Sequence, residues 1–170
     1  MGETKKEVTV RVRIKPLLYD IANETYLRHL SPRDGEDVKR AARLYASADA
    51  GNTDKLLRSV QRCFAAVRCA LSEYMDGGVA EADSSLACGD GDLSLRLSVP
   101  GNFSEAALPY LCESVHDYLK NAAIGEWYLV TNPGEAQQYL ALSEKSLSGA
   151  VSAACSRRRP ERPVRQSPNP

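Results

Sequence analysis

The residues of this chain that could carry out chemistry do not occur at the spacings that reactive sites require. The two histidines, His29 and His116, each lack a second histidine or cysteine at metal-ligand spacing, so we predict no zinc site. The sequence has no nucleophile elbow, and the glycine pair in "MDGGVA" lacks the Lys-Ser/Thr ending of a phosphate loop. We therefore predict no catalytic residue, no metal, no cofactor and no enzyme activity. A pocket around His116 lined by carboxylates would favour an enzyme instead.

The densest group of acidic residues lies in or beside a predicted β-hairpin. Its members are Glu81, Asp83, Asp90 and Asp92. Asp90-Gly91 is a favoured two-residue hairpin turn, and the bidentate acid that would complete a calcium loop is missing. We interpret these acids as a solvated hairpin surface and not as a paired acid/base site. Trp127 lies within "AIGEWYLV", and we interpret it as a core residue and not as a binding anchor.

The cysteines and the N-terminus favour an intracellular protein. No C-x-x-C pair occurs, which predicts free thiols, mostly buried, in a reducing compartment. The five cysteines are Cys63, Cys69, Cys88, Cys112 and Cys155. The first residues are charged and lead into a strand pattern, so we expect no signal peptide and a soluble chain without a membrane span.

The hydrophobic pattern predicts an α+β fold that is mainly α. Residues 8–15 alternate strictly between apolar and polar, as a half-buried strand does, and a helix over 16–30 follows. Further helices are predicted over 37–48, over about 53–76, from about 102 onward and over 133–157, with a β-hairpin at about 80–99 whose second strand alternates over 93–99. The helix over about 53–76 has apolar residues at three-to-four spacing from Leu56 to Tyr74, which predicts one core face, and Gly77-Gly78 is expected to end it. We expect a helical bundle with a small antiparallel sheet (the N-terminal strand plus the hairpin). The bundle is predicted as one domain of residues 1–155, followed by an extended C-terminal tail, 156–170.

Several local signals place the ends of the later helices. Asn102 with Glu105 forms a capping pair, and Pro109 predicts a kink or a restarted helix. The segment "AAIGEWYLV" is apolar on almost every side, which predicts a helix buried all round. In "TNPGEA", Asn132 is the predicted cap and Pro133 the first helical residue.

The tail differs in charge from the rest of the chain. From Ser156 onward it has five arginines and one glutamate, a net +4, and the remaining 17 basic and 21 acidic side chains give the body −4. An acidic body argues against a nucleic-acid-binding domain. Extended at ~3.1 Å per residue, the tail reaches on the order of 45 Å. Its composition fits a strap that lies along a neighbour and equally fits a solubilising end. The predicted partner-binding residues are Arg157, Arg158, Arg159, Arg162, Pro163, Val164 and Arg165.

Four segments, taken together and in order, resemble a known group of proteins. They are "VRVRIKPLLYDIANETYL", "DKLLRSVQRCFAAVRCALSEY", "SVPGNFSEAALPYLCESVHDYLKNAAIGEWYLVTNPGEAQQY" and "SRRRPERPVR". The chain resembles small, mostly uncharacterised virion-gene products of tailed bacteriophages and prophages of gut Bacteroidales. The likeness covers nearly the whole chain, with residues 31–52 as the variable region. No functional residue is assigned in this group, so none is carried over.

The resemblance implies a gene of the head-to-tail connector region. Connector and adaptor proteins form rings beneath the portal, are small helical bundles with a β element, and dock on neighbours through chain termini. We therefore expect a non-enzymatic structural protein, assembled into the virion in the host cytoplasm. Its oligomeric ring would dock on the portal or on neighbouring connector subunits through the C-terminal tail. Two alternatives stay open: a tail-completion protein, and a nucleic-acid-binding protein that contacts DNA through the basic tail.

Overall fold

Most of the described chain is helical, and one small antiparallel sheet accompanies the helices, which confirms the predicted fold class. The computed structural model describes residues 5–30, 50–75 and 91–158. The strands are β1 (Lys5–Arg13) and β2 (Asp92–Pro100), and the helices are α1 (Ile14–Leu30), α2 (Ala50–Ala70), α3 (Leu108–Thr131) and α4 (Pro133–Ala154). Short 3-10 helices span Ser72–Tyr74 and Glu105–Ala107. The predicted helix over 37–48 lies outside the described residues.

The sheet pairs the N-terminal strand with β2 over the full length of both strands. Lys5 lies opposite Pro100 at one end, and Arg13 lies opposite Asp92 at the other. Strict alternation puts every second side chain on the core face, where burial of apolar surface stabilises the pairing. The buried side chains are Val8, Val10, Val12, Leu93, Leu95, Leu97 and Val99. The predicted first strand of the hairpin lies outside the described residues.

The first helix begins earlier than its proline predicts. α1 starts at Ile14, directly after β1, and the Ile14 amide still donates to the Gly91 carbonyl at 3.3 Å. Pro16 therefore lies inside the first turn, where a missing amide costs nothing because no intrahelical acceptor exists there. The buried face is Leu17, Ile21 and Thr25, and Leu18 is half-buried at its edge.

The second helix has the core face that its periodicity predicts. Its α-helical part ends at Ala70, and the 3-10 turn through Tyr74 completes the element, while the glycine pair expected to end it lies outside the described residues. The buried residues are Leu56, Leu57, Val60, Cys63, Val67 and Leu71. Phe64 is half-buried at the edge of this face.

The start of α3 confirms one prediction and corrects another. The helix restarts beside Pro109, which lies in its first turn, as predicted. The capping pair of Asn102 with Glu105 is wrong: Ser104 precedes the 3-10 helix, and no side chain caps it. The Glu105 carboxylate instead binds cations, which charge attraction favours over a backbone amide.

Helices α3 and α4 form a tight antiparallel hairpin joined at Asn132 alone. Asn132 precedes α4 and Pro133 begins it, as predicted, but the Asn132 side chain makes no capping hydrogen bond. The two helices approach closely at Gly125, where an added Cβ would lie 2.8 Å from Leu140 Cδ2. The prediction that "AAIGEWYLV" is buried all round fails at its end.

That failure has a simple geometric cause. Burial holds from Ala122 through Tyr128 except at the half-buried Glu126, but Leu129 and Val130 are 52% and 76% exposed. Tyr128, in the same last turn, is buried, so Leu129 and Val130 lie on a side of α3 that faces away from the core, and apolar composition alone overstates the burial of this segment.

Candidate interaction surface at the chain ends

The chain turns back on its own domain after α4. Arg157 forms an antiparallel β-bridge with Phe103, in the loop between β2 and α3. The Ser104 amide donates to the Ser156 carbonyl at 3.2 Å, and the Arg158 amide donates to the Asn102 carbonyl at 2.8 Å. The chain therefore stays in backbone contact with the domain beyond Cys155, through Arg158 among the described residues.

Two side chains fix this junction. Phe103 is 1% exposed, and its amide donates to the Pro100 carbonyl at 2.8 Å, so the receiving loop is anchored in the core. Arg157 Nη1 donates to the Ala154 carbonyl at 3.0 Å and to the Ser156 carbonyl at 3.3 Å. A cation at the C-terminus of a helix satisfies carbonyls that have no intrahelical donor and lowers the energy of the helix dipole.

Cations from both ends of the described chain meet at one carboxylate. Lys6 forms an ion pair with Glu105, and Arg158 Nη2 lies 3.4 Å from Glu105 Oε1. The hydrogen bond from Lys6 and the charges of Lys6 and Arg158 lower the pKa of the Glu105 carboxyl. These exposed pairs add little stability because water and salt screen them.

We call this region the basic end and define it by Lys5, Lys6, Glu105, Arg157 and Arg158. Lys5 and Lys6 begin β1, opposite the end of β2 that leads into the Phe103 loop. Four cations and one carboxylate give the basic end a net charge of +3. Such a surface attracts an acidic partner, and the attraction weakens as salt is added.

A third element contacts the same junction. Tyr74, at the end of the 3-10 turn after α2, has its hydroxyl 3.0 Å from Cys155 Sγ. This hydrogen bond is the largest cause of the raised pKa of Tyr74. The point where the tail leaves the domain is thus contacted by the 3-10 turn after α2 and by the loop before α3.

The predicted partner-binding residues fall into two groups. Arg157 and Arg158 lie against their own domain, and each uses its side chain there. The others lie outside the described residues: Arg159, Arg162, Pro163, Val164 and Arg165. Sequence composition could not separate the two groups because the β-bridge at Arg157 depends on the distant Phe103.

One histidine has a carboxylate partner that sequence spacing could not reveal. His116 Nε2, on α3, lies 2.9 Å from Asp20 Oδ2, on α1. The pair links two helices that are far apart in sequence. The side chain of His29 lies outside the described part. Within residues 5–30, 50–75 and 91–158, no three histidine, cysteine or acidic side chains are placed to hold a metal ion.

A second polar cluster, which sequence reasoning missed, joins α1 to the start of α4. The Tyr139 hydroxyl donates to Glu24 Oε1 at 2.8 Å and accepts from Arg28 Nε at 3.1 Å. Arg28 Nη1 also lies 3.6 Å from Glu135 Oε2, and its guanidinium lies 5.7 Å from the centre of the Tyr139 ring. We call Glu24, Arg28, Glu135 and Tyr139 the Tyr139 cluster.

The Tyr139 cluster has a buried aromatic neighbour. Tyr128 packs edge-on against Tyr139, with ring centres 5.5 Å apart. Burial raises the pKa of Tyr139 to about 12 and also raises the pKa of Tyr128. Both phenols therefore stay protonated at neutral pH and act as hydrogen-bonding groups, not as bases.

The described cysteines are free, as predicted, but only some are buried. Cys63 is buried and Cys112 is half-buried, and loss of solvation raises the pKa of both, to about 11 for Cys63. Cys69 and Cys155 are exposed, so the expectation of burial is wrong for these two. Cys88 lies outside the described residues. Trp127 is 8% exposed, consistent with its interpretation as core, and Lys55 Nζ lies 4.9 Å over its ring.

In the part of the chain that the structure describes, no helix is both long enough and apolar enough to cross a bilayer. Comparisons of this chain with protein-family models, with curated proteins and with solved structures find no match.

Proposed function

We propose that this chain is a non-enzymatic structural protein of a tailed-bacteriophage virion, a head–tail connector that assembles as a ring. Residues 159–170 of the tail dock on an acidic surface of an assembly partner, either the portal or the next subunit. The observation that carries the proposal is the backbone bridge between Arg157 and Phe103, which gives the tail a fixed starting point on the folded domain.

A fixed base makes a short basic tail an effective docking segment. Binding must offset the entropy lost when a segment is ordered, and a tail that starts from a fixed position loses less of it. The tail begins at the basic end, so its own charges add to a surface that is already positive. In a ring, every subunit contributes one such contact, and the contacts reinforce one another through multivalency.

The described titratable side chains support a structural role. His116 pairs with Asp20 across α1 and α3, and the Tyr139 hydroxyl is held between a carboxylate and a guanidinium. Each of these contacts ties two helices together. The proposal that the chain is not an enzyme rests on this use of its polar side chains and on the absence of a catalytic motif in the sequence.

The test compares two full-length triple variants that lose the same charge. One has Arg159, Arg162 and Arg165 replaced by Gln, and its matched control has Arg58, Arg68 and Lys145 replaced by Gln on α2 and α4. Copies per particle are measured by quantitative mass spectrometry of purified virions. Each charge-assisted arginine contact contributes about 1.5–3 kcal/mol, so we expect incorporation of the tail variant to fall at least about tenfold. The control variant should be incorporated like the wild type.

Incorporation of the tail variant at the wild-type level would overturn the docking role of the tail. Thermal unfolding of both variants is measured as well. Unchanged melting temperatures show that a loss of incorporation reflects assembly and not folding. Cross-links from the tail to the portal or to the next subunit support the connector role. Cross-links to a tail-tube protein alone would replace it with the tail-completion role.

A further inference from the structure

The side of the two-stranded sheet that faces away from the core carries only polar and charged side chains between residues 7–13 and 92–98. Residues alternate between the two faces along a strand, and residues directly opposite each other lie on the same face. The valines and leucines of β1 and β2 face the core, so the residues between them face outward. All of these are exposed except the half-buried Ser98. We call the following set the outer sheet face: Glu7, Thr9, Arg11, Arg13, Asp92, Ser94, Arg96 and Ser98.

Three arginines lie close together on the outer sheet face. Arg11 and Arg13 are two residues apart on β1, or ~7 Å. Arg96 lies opposite Thr9 on the other strand, which makes it the diagonal neighbour of Arg11 at ~7–8 Å. Like charges at this spacing repel one another, and an anion bound between them relieves the repulsion.

The carboxylates of the outer sheet face neutralise these arginines only in part. Asp92 Oδ2 lies 3.9 Å from Arg11 Nε, and both side chains are exposed to solvent. Among the described residues, no carboxylate lies within ion-pair distance of Arg13 or Arg96. Glu7 lies at the opposite end of the face from Asp92. The middle of the face therefore keeps its positive charge.

Hydroxyl groups lie between the guanidinium groups. Thr9 is opposite Arg96 and Ser94 is opposite Arg11, and the Cβ atoms of such pairs are ~4.5–5.5 Å apart. Both hydroxyl side chains are exposed and make no hydrogen bond with another side chain in the described part of the chain. An oxyanion that contacts either guanidinium is therefore also within reach of a hydroxyl donor. Arginine, serine and threonine are side chains that commonly contact phosphate groups.

We propose that the outer sheet face binds the phosphate backbone of duplex DNA. Duplex DNA carries one negative charge per ~1.7 Å of its axis, so all three guanidinium groups can contact phosphates at the same time. A protein partner is recognised through aromatic and apolar anchors, and no residue of the outer sheet face is aromatic or aliphatic. A double strand fits better than a single strand because the face has no ring on which a base could stack. This inference goes beyond the proposed function and does not involve the tail.

The negative net charge of the body does not prevent such a contact. Charges more than ~10 Å apart are largely screened from one another at ~0.1 M salt, so a bound phosphate interacts mainly with the face itself. The sequence could not reveal this face, because Arg96 is distant from Arg11 and Arg13 along the chain. Pairing of β1 with β2 brings the three together.

The test compares full-length proteins that all carry the substitutions of the tail variant, so that the arginines of the tail do not mask the sheet. In the face variant Arg11, Arg13 and Arg96 are also replaced by Gln, and in the matched control Arg58, Arg68 and Lys145 are replaced instead. The probe is a fluorescently labelled DNA duplex of about two helical turns. Binding is measured by fluorescence anisotropy over a range of salt concentrations.

We expect the face variant to bind the duplex at least about tenfold more weakly than the parent protein at low salt. Each neutralised phosphate contributes ~0.9 to the slope of log affinity against log salt, so the slope should become smaller by ~2.7. The control variant should bind like the parent, because its substitutions lie on α2 and α4.

Asp92→Asn should change the affinity in the opposite direction. Loss of this carboxylate removes its repulsion of phosphate and its contact with Arg11, so DNA binding should become about twofold tighter. A substitution that only damaged the fold would weaken binding. Thermal unfolding of every variant shows that each one is folded.

A polyglutamate peptide separates nucleic acid from an acidic protein as the partner. It should bind at least about fivefold more weakly than the duplex, because its charge density is lower. Equal affinity for polyglutamate would assign the face to an acidic protein and overturn the proposal. Parent-level binding by the face variant, or no binding of DNA by the parent, would overturn it as well. None of these results affects the connector role, which is tested by incorporation of the tail variant into virions.

Discussion

Tyr139 shows how buried polar side chains are accommodated in this bundle. Its ring is buried, and its hydroxyl bridges the half-buried Glu24 and the exposed Arg28, so three polar groups satisfy one another at the edge of the core. Tyr128, beside it, is 1% exposed, and its hydroxyl has no hydrogen-bond partner among the described residues. The two tyrosines therefore differ in what their hydroxyls contribute, although both rings are core.

Removing each hydroxyl separates these two contributions. Tyr139→Phe deletes hydrogen bonds to two charged groups, so we expect the free energy of unfolding to fall by about 2 kcal/mol. Tyr128→Phe removes a buried hydroxyl that gains no hydrogen bond in this part of the fold, so we expect a change within about 0.5 kcal/mol, or a gain. Urea unfolding of both variants measures the difference. Equal losses for the two variants would contradict this account of the Tyr139 cluster.

At the scale of single elements, the periodicity of apolar residues predicted the strands and helices that bury one face. The alternation in residues 8–15 and 93–99 predicted two strands with one core face, and the structure pairs these strands with each other. The three-to-four spacing from Leu56 to Leu71 predicted the core face of α2. These predictions hold because the pattern records which side of an element faces away from water.

The element ends and the polar pairs depended on contacts that no local pattern records. α1 begins at Ile14 because β1 leads straight into it, and Glu105 binds Lys6 instead of capping a helix. His116 finds Asp20 only after α1 packs on α3. The contact at the base of the tail could not be predicted for the same reason, because Phe103 and Arg157 are distant in sequence and meet only in the folded chain.

The α3–α4 hairpin gives a test at this scale. Gly125→Ala would place a methyl group 2.8 Å from Leu140 Cδ2 and 3.4 Å from the Leu140 backbone nitrogen. Overpacking costs about 1–3 kcal/mol, which exceeds the helix-propensity gain of up to about 1 kcal/mol. We therefore expect a net loss of about 1 kcal/mol in thermal or urea unfolding.

Gly51→Ala on α2 is the matched control, because an added Cβ there meets nothing within 4 Å. It should stabilise the chain by up to about 1 kcal/mol through helix propensity alone. A stabilising Gly125→Ala of the same size would show that α3 and α4 are not closely packed at this point.

At the scale of the whole molecule, positive charge is concentrated where the chain leaves the domain after α4. The basic end, with the base of the tail, carries a net positive charge at one end of β1. Under the proposed function this surface faces an acidic partner in the particle, and the attraction between them should weaken as salt is added.

Amide hydrogen exchange of residues 159–170, read in the purified monomer and in the assembled particle, tests most directly whether this tail serves assembly. We expect its amides to exchange at the rate of an unprotected peptide in the dilute monomer and to become strongly protected in the particle, where a partner covers them. The amides of Ser156 and Arg158, which donate to the Ala153 and Asn102 carbonyls, should be protected in both states and serve as the internal reference. Strong protection of the tail in the monomer, or none in the particle, would contradict the account.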